Sequence, residues 1–221
     1  MLLIGFARTT ADVLKQRCQK ELGFTEEQVK AIRTIHSLCF DSKLVPAPKP
    51  KLFGKPQQKQ FRMLINIPVS EWPKADEFDA EEFADVEELG SSLVDKKLKL
   101  IQRARTTFSH GDSWKSIEHY YDHHDEQEYN NIHRQDLEHT YTLYEKYKKD
   151  NNRIDFEDML CRVLKKDINF PKYNAVFVDE CQDLNPLLWA VISKIREKCD
   201  DIYLAGDDDQ SIFYFTSASP A

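Results

Sequence analysis

Two acidic segments that each follow an apolar run are the parts of this chain best suited to chemistry. The first follows residues 175–178, and the second follows residues 202–205. Their polar residues are Asp179, Glu180, Gln182 and Asp183 in the first segment, and Asp207, Asp208, Asp209 and Gln210 in the second. If both runs are parallel strands, their carboxyl ends open onto one crevice, which is where such sheets bind ligands. A carboxylate pair there can hold Mg²⁺ and orient a water molecule.

The residues between these two runs predict a strand–helix–strand unit. It comprises a strand at 175–178, a helix at 187–195 and a strand at 202–205. Pro186 suits the first turn of the helix, and either Asp183 or Asn185 can cap it. Such a unit implies parallel strands and a right-handed crossover. Capping alone would explain one acid, but not the adjacent pair Asp179 and Glu180 followed by Gln182.

The start of the chain predicts a second α/β stretch. Residues 2–6 are typical of a buried strand, and a helix is expected from Thr9 to Leu22, with Gly23 ending it. Residues 33–36 are predicted to form a second short strand or its exit. We therefore expect the two α/β stretches to share one sheet.

The middle of the chain has a different character. Four prolines fall within 44–60, and we interpret this segment as a linker or long loop. Helical spacing follows in 89–105 and 135–149. In the second of these helices Leu137, Tyr141, Tyr144 and Tyr147 share one face, which favours a core stripe over a stacking platform. Asp155 is expected to cap a further helix.

We therefore predict three parts. Residues 1–41 are the first part of an α/β domain, 42–150 are a linker and helical insertion, and 151–221 complete the domain.

Composition excludes several classes of protein. The formal charge of −7 and the isoelectric point near 5.5 argue against a protein that holds nucleic acid by bulk charge. The five cysteines are odd in number, widely spaced and without a C-x-x-C pair, so they suggest neither a disulfide framework nor a zinc ribbon. No apolar run approaches membrane-spanning length. We expect a soluble, intracellular protein, cytoplasmic or nuclear, with no membrane partner.

The ordered motifs resemble those of the UvrD/Rep family of superfamily-1 DNA helicases. Residues 179–183 match the form D-E-x-Q-D of that family's Walker B motif. Residues 204–213 are similar to its third motif, and 34–37 are similar to its T-x-H element. The resemblance implies an α/β fold, with a RecA-like parallel sheet of the P-loop NTPase type interrupted by a mainly helical inserted subdomain.

The resemblance also implies roles in the use of ATP and Mg²⁺. Asp179 would hold Mg²⁺, and Glu180 would orient the attacking water. Gln210 would sense the γ-phosphate, since an amide can both donate and accept hydrogen bonds. Gln182 belongs with Gln210 among the expected nucleotide-binding residues.

Single-stranded DNA is the partner that the resemblance implies. Phe213 and Phe215 fall at the positions where these helicases place base-stacking aromatics, whereas we interpret Tyr214 as a core residue. The remaining expected DNA contacts are Thr34 and His36 of the T-x-H element, and Phe6 and Thr9, which with Arg8 occupy the place of motif Ia.

This sequence departs from the family pattern in three respects. It contains no Walker A loop of the form G-x-x-x-x-G-K-[ST], and no Gly-Lys-Ser or Gly-Lys-Thr occurs in it. It also stops at Ala221, before a second RecA-like domain. Thr216 and Ser217 stand where Rep-like enzymes usually carry arginine and glycine. We expect part of a 3′-to-5′ helicase that is inactive alone and needs the missing helicase segments as partners.

Two alternatives remain open at the level of sequence. The chain could be a module that binds single-stranded DNA or a protein partner without hydrolysing ATP. A metal-dependent nuclease built on the acidic segment would need further ligands. The candidates are His119, His123, His124 and His133, which we interpret as a solvated face.

Overall fold

The computed structural model describes most of the chain, in two compact units. The described residues are 1–41, 49–72, 93–107, 113–123, 129–165 and 170–207. One unit combines Met1–Ala47 with Met159–Ala221, and we call it the sheet unit. The other unit is Pro48–Asp158, which we call the inserted unit.

Both units contain strands and helices. In chain order the strands are β1 (Leu2–Gly5), β2 (Ile32–Thr34), β3 (Lys51–Leu52), β4 (Arg153–Ile154), β5 (Tyr173–Val178) and β6 (Cys199–Leu204). The helices are α1 (Arg8–Leu22), α2 (Glu26–Val29), α3 (Ile35–Cys39), α4 (Lys55–Leu64), α5 (Leu93–Thr107), α6 (Trp114–His123), α7 (Arg134–Asp150), α8 (Phe156–Lys165) and α9 (Pro186–Arg196).

The sheet unit is built on a four-stranded sheet in the order β2-β1-β5-β6, and all its pairs are parallel. The central strands β1 and β5 contribute buried residues such as Ile4, Val176 and Val178. The two α/β stretches at the ends of the sequence therefore share one sheet. This confirms the predicted α/β fold with a parallel sheet.

Local signals in the sequence set the limits of two helices in this unit. Gly23 ends α1 in the left-handed conformation, with φ of 66°, which glycine adopts without steric cost. Asn185 caps α9, since its Oδ1 accepts a hydrogen bond from Leu188 N at 2.9 Å. Pro186 occupies the first turn. Of the two predicted caps, the structure uses Asn185.

Aromatic residues dominate the core of the inserted unit. Phe53 and Phe61 each meet Tyr144 and Tyr147 edge to face, at centroid distances of 5.0–5.8 Å. Leu137 is also buried, and Tyr141 is partly buried against the same cluster. The stripe on α7 is thus a core stripe, as its spacing predicts. Edge-to-face pairs of this kind add stability beyond area burial.

The prediction of a linker or long loop at 44–60 is wrong for the residues that the structure describes. Lys51–Leu52 form β3, and α4 begins at Lys55 with Pro56 in its first turn. Proline is tolerated at that position because its missing N–H would have no intrahelical partner. The strand β3 pairs in parallel with β4, from Lys51 beside Arg153. This pairing is remote in sequence, so local composition could not indicate it.

Two further expectations concern cysteines and membranes. All five cysteines are thiols, and burial raises the pKa of Cys39 to about 12. Among the described helices, none is both long enough and apolar enough to cross a membrane.

Candidate functional site

The candidate residues that the structure describes meet at the carboxyl edge of the four-stranded sheet. In the register of the strands, Gly5 lies beside Thr34, Ile4 beside Val178, and Val178 beside Leu204. The segments that leave these strands carry, in order across the sheet, Thr34 with His36, Phe6 with Thr9, Asp179 with Glu180, and finally Asp207.

The acidic turn after β5 is fixed by backbone hydrogen bonds and contains a strained residue. Asp179 N donates to Ile4 O at 2.9 Å, and Glu180 N donates to Asp179 Oδ1 at 3.1 Å. Glu180 adopts φ of 55°, a left-handed conformation that is costly for a residue other than glycine, by roughly 1–3 kcal/mol. No described lysine or arginine forms an ion pair with Asp179 or Glu180. Within the part of the chain that the structure describes, the turn therefore presents negative charge without a paired cation.

Gln182 joins the two acidic segments. Its side chain is almost fully buried, at 2% exposed. Its Nε2 donates to Glu180 Oε2 at 2.7 Å, and its Oε1 accepts from Asp207 N at 3.1 Å. One amide thus orients the Glu180 carboxylate and fixes the start of the segment after β6. Sequence reasoning expected Gln182 near the nucleotide, but it did not find this bridge.

Gly206 is required by the same bridge. A Cβ at this position would lie 2.5 Å from Gln182 Oε1 and 2.6 Å from Cys181 Sγ. The backbone is held there because Cys181 N donates to Ala205 O at 3.0 Å and Ala205 N donates to Val178 O at 2.8 Å. Only glycine allows this approach of the two strand ends without a shift.

The expected DNA contacts at β2 also have structural roles. Thr34 caps α3, because its Oγ1 accepts from Ser37 N at 3.2 Å. Burial lowers the pKa of His36 to about 4, so this imidazole is neutral at pH 7. After the neighbouring strand β1, Phe6 is half-buried, and Thr9 is exposed in the first turn of α1. These four side chains lie at one edge of the sheet, and Thr9 is the exposed one among them, while the other three are half-buried.

Three of the predicted site residues lie outside the described residues. They are Gln210, Phe213 and Phe215. The predicted contacts of these residues to phosphate and to DNA bases stay predictions.

The histidines considered for a nuclease lie in the inserted unit. His119 and His123 stack with ring centroids 4.4 Å apart, and His123 Nδ1 is hydrogen-bonded to His119 O at 2.7 Å. His133 precedes α7 as its N-cap residue, and His124 lies outside the described residues. Within the described part of the chain, no group of three or more histidine, cysteine or acidic residues is placed to hold a metal ion.

Sequence reasoning missed a buried charged cluster in the inserted unit. Arg105 Nη1 meets Asp155 Oδ2 at 2.7 Å, and its Nη2 meets Asp158 Oδ1. Lys148 Nζ lies 2.8 Å from one oxygen of each aspartate, and Tyr144 Oη donates to Asp155 Oδ2 at 2.8 Å. We call these five residues the ionic cluster. Asp155 is the predicted cap, and it does accept from Asp158 N at 2.7 Å.

The charges of the ionic cluster affect the pKa of Asp155 and of the neighbouring Glu157. Burial acts to raise the pKa of Asp155, but the cations Arg105 and Lys148 outweigh it and lower the pKa. Glu157 differs, because burial and then the Asp155 charge raise its pKa to about 7. Its Oε2 is shielded from solvent and has no hydrogen-bond partner among the described residues. The cluster therefore holds Asp155 ionised and favours a proton on Glu157.

The sheet and its carboxyl edge define the class of this protein. A parallel α/β sheet whose acidic turns meet at one edge is consistent with a RecA-like domain. The comparison with known families is specific. The model of the UvrD/REP helicase N-terminal domain matches residues 1–221, and the chain belongs to that family of DNA helicases.

Individual relatives agree with this assignment. The chain is 33% identical over 93 residues to the ATP-dependent DNA helicase Rep of Buchnera aphidicola subsp. Acyrthosiphon pisum, covering 38% of this chain and 14% of that protein. It is 28% identical over 86 residues to the ATP-dependent DNA helicase PcrA of Bacillus subtilis, covering 35% and 12%. The matched region thus spans about an eighth of the length of these relatives.

Proposed function

We propose that this chain is part of an ATP-dependent DNA helicase or translocase that moves 3′ to 5′ on single-stranded DNA and couples ATP hydrolysis to unwinding. The observation that carries the proposal is the bridge made by Gln182, which joins Glu180 to the backbone at Asp207. A motor needs its hydrolytic group and the segment that senses phosphate to move together. The bridge supplies such a connection.

The residues at the acidic turn fit a bound nucleotide with Mg²⁺. Carboxylate oxygens are the ligands that Mg²⁺ prefers, and the described residues place no cation against them. Asp179 would hold the ion, which neutralises phosphate charge when bound. Glu180, oriented by Gln182, would position and deprotonate the attacking water. Gln210 would contact the phosphate.

The other half of the sheet edge is proposed to contact single-stranded DNA. Thr9 is exposed and offers a hydroxyl to a phosphate. Thr34 and His36 lie one strand further along, and Phe6 lies beside them. Phe213 and Phe215 would stack on bases, a contact worth roughly 1–3 kcal/mol per base. The neutral state of His36 suits hydrogen bonding to a base or sugar better than attraction to phosphate.

Two elements of such a motor do not occur in this sequence, and other segments would supply them. A glycine-rich phosphate loop and a second RecA-like domain would complete the motor, and this chain alone would not turn over ATP. Such a protein acts on DNA inside the cell.

The first test is DNA binding by the purified chain. Fluorescence anisotropy with a labelled oligothymidine at low salt is expected to show binding that weakens as salt is raised. His36→Ala and Thr9→Ala should each weaken binding several-fold. The exposed Lys172→Ala is the matched control, since Lys172 lies at the opposite end of the sheet. Absence of binding at low salt would contradict the proposal.

The second test is ATP turnover with Mg²⁺, with and without single-stranded DNA, beside Glu180→Gln. DNA-stimulated hydrolysis that is lost in the variant would establish a motor and show that the missing phosphate loop is not needed. A second function is favoured by the absence of any Gly-Lys-Ser or Gly-Lys-Thr sequence: a module that binds DNA without hydrolysis. DNA binding without turnover, even after the missing helicase segments are added, would support that module.

A further inference from the structure

Two histidines on one face of α6 lie close enough together to bind one metal ion. His119 and His123 are both exposed, and they are four positions apart, so their side chains are neighbours on the helix surface. Their rings stack with centroids 4.4 Å apart and an angle of 19°. Histidines with this spacing on one face of a helix form a ligand pair for Zn²⁺, as in the H-E-x-x-H motif. Neither histidine has a role in the proposed function.

A hydrogen bond fixes the tautomer of His123. Its Nδ1 lies 2.7 Å from His119 O. A carbonyl oxygen can only accept, so Nδ1 carries the proton, and the neutral ring has its lone pair on Nε2. Histidines that bind metal ions almost always donate from their other ring nitrogen in this way, which orients the ring and makes the ligand nitrogen more basic. His123 is therefore arranged as a metal ligand.

The separation of the two rings suits a single ion. Zinc binds imidazole nitrogen at about 2.0–2.1 Å, so two such nitrogens in a tetrahedral shell lie about 3.3 Å apart. The ring centroids are 4.4 Å apart, and exposed side chains change rotamer within nanoseconds. A small rotation of the rings therefore brings one nitrogen of each to the same ion, and the helix backbone does not have to move.

The acids beside the pair are held by an arginine. Glu118 and Asp122 each precede one of the histidines, and they form ion pairs with Arg134 at 2.7 and 3.1 Å. Lys115 is exposed one turn before His119, so two cations balance these two acids. General attraction of cations is thus weak here, and imidazole nitrogen is the ligand on offer. Such ligands suit Zn²⁺, Cu²⁺ and Ni²⁺, whereas Mg²⁺ and Ca²⁺ prefer oxygen.

We propose that His119 and His123 form a binding site for a divalent transition-metal ion of the Zn²⁺ or Cu²⁺ class. Nε2 of His123 and one ring nitrogen of His119 bind the ion. Water fills the other positions, because two protein ligands are fewer than a closed zinc site has. The ion links successive turns of α6 within the inserted unit. This site binds without hydrolysing DNA, and it does not rest on the proposed function.

The first test titrates the full chain with ZnCl₂ after EDTA treatment and dialysis, in the absence of nucleotide and DNA. Nitrogen-15 NMR of the imidazole rings is expected to show shifts at Nε2 of His123 and at one ring nitrogen of His119. MgCl₂ at the same concentration should cause neither shift. Acidification to about pH 5 should release the zinc, because protons compete with metal ions for imidazole nitrogen.

Matched variants locate the site. Loss of an outer-shell partner commonly costs about 10- to 100-fold in metal affinity, and loss of a ligand costs at least as much. His119→Gln and His123→Gln should therefore each weaken Zn²⁺ binding about tenfold or more in isothermal titration calorimetry. Glutamine is a good helix former, so both variants keep α6. His139→Gln is the control and should bind like the parent, because His139 is exposed on α7 with no histidine one turn away.

Zinc should also stabilise the folded chain, because the two rings are neighbours only when α6 is formed. The urea midpoint of the parent is expected to rise with Zn²⁺ and to fall back with EDTA, whereas that of His119→Gln should not respond. Ring shifts at other histidines in place of these two would overturn the proposal, as would equal affinities of His119→Gln and His139→Gln. An equal response to Mg²⁺ would assign the binding to the acids and also overturn it.

Discussion

The acids at the sheet edge and the acids of the ionic cluster differ in what surrounds them. In the inserted unit, Asp155 and Asp158 each meet both Arg105 and Lys148 within 2.8 Å. At the sheet edge, the Glu180 carboxylate accepts a hydrogen bond from the amide of Gln182 and forms no ion pair with a described cation, and the Glu180 backbone is strained. The first arrangement neutralises its charge internally. The second leaves its charge available.

This contrast separates stabilising acids from candidate catalytic acids. A buried acid that has lost its cation is strongly destabilising, so the ionic cluster contributes to holding the inserted unit together. An acid without a cation adds little to folding, but it can bind a metal ion or a proton. Perturbed pKa values alone would single out the inserted unit, whereas the pairing of charges singles out the sheet edge.

The largest effect is expected from removing the cation of the ionic cluster. Arg105→Met should lower the free energy of unfolding by about 3–5 kcal/mol, because Asp155 and Asp158 lose a buried partner. Urea denaturation followed by circular dichroism measures it. The control Arg134→Met breaks an exposed pair with Glu118 and should cost at most about 1 kcal/mol. Equal losses in the two variants would erase the contrast between the units.

The next effect is a pH dependence that comes from Glu157. Its folded pKa of about 7 lies above its usual value of 4.5, so the folded state holds the extra proton between those values. The resulting stabilisation is complete below pH 4.5 and is lost as the pH rises through 7, by about 3 kcal/mol at most. Glu157→Gln should remove this loss between pH 5 and 8 in urea denaturation.

Two comparisons make the Glu157 result specific. The exposed Glu138→Gln should leave the pH dependence unchanged. His36 acts with the opposite sign, because its lowered pKa makes stability rise with pH between about 4 and 6.5. The parent and both variants share this contribution of His36, so it cancels when the pH profile of Glu157→Gln is compared with that of the parent. Parallel pH profiles for parent and Glu157→Gln would contradict the assignment.

A smaller loss is expected at the junction of the two acidic segments. Gly206→Ala should cost about 1–3 kcal/mol, since its Cβ would overlap Gln182 Oε1 and Cys181 Sγ. When the missing helicase segments are added to the chain, its DNA-stimulated ATP hydrolysis should also be lower in Gly206→Ala than in the parent. Gly54→Ala is the control, because the nearest atom to a Cβ there is 3.6 Å away. Full stability of Gly206→Ala would show that the bridge does not need this close approach.

The smallest effect on stability is expected at the sheet edge itself. Asp179→Asn should change the free energy of unfolding by less than about 0.5 kcal/mol, since no described cation depends on this carboxylate. The same variant should lose the binding of Mn²⁺, which serves as a probe for Mg²⁺. Electron paramagnetic resonance measures this binding in the presence of ATP, with the missing helicase segments added to the chain. A large destabilisation would place Asp179 among the stabilising acids.

Local signals allowed much of the sheet unit to be predicted from the sequence. The apolar runs gave β1, β5 and β6, while Gly23 and Asn185 marked helix ends. The acidic residues after β5 and β6 meet at one edge because parallel strands place them there. These features depend on neighbours in sequence or on the handedness of the crossover, which general rules capture.

The features that escaped prediction depend on contacts between distant residues. Arg105 meets Asp155 fifty positions along the chain, and β3 pairs with β4 across most of the inserted unit. The sequence predicts Asp155 only as a helix cap. Its second role, the ion pairs with Arg105 and Lys148, depends on how α5 and α7 pack, which the residues next to Asp155 do not indicate. The bridge by Gln182 likewise depends on the exact approach of two strand ends, which residue types alone do not fix.

The discontinuity of the sheet unit has a consequence for the order in which the chain is made. Leu2 and Val176 are neighbours in the sheet, but the ribosome adds them on the order of ten seconds or more apart. The inserted unit, which is continuous from Pro48 to Asp158, emerges complete in that interval. Its tyrosine-rich core can therefore form while β1 still waits for β5. A nascent chain halted before Tyr173 would expose to chaperones and proteases the edge of the apolar strand β1 that β5 later covers.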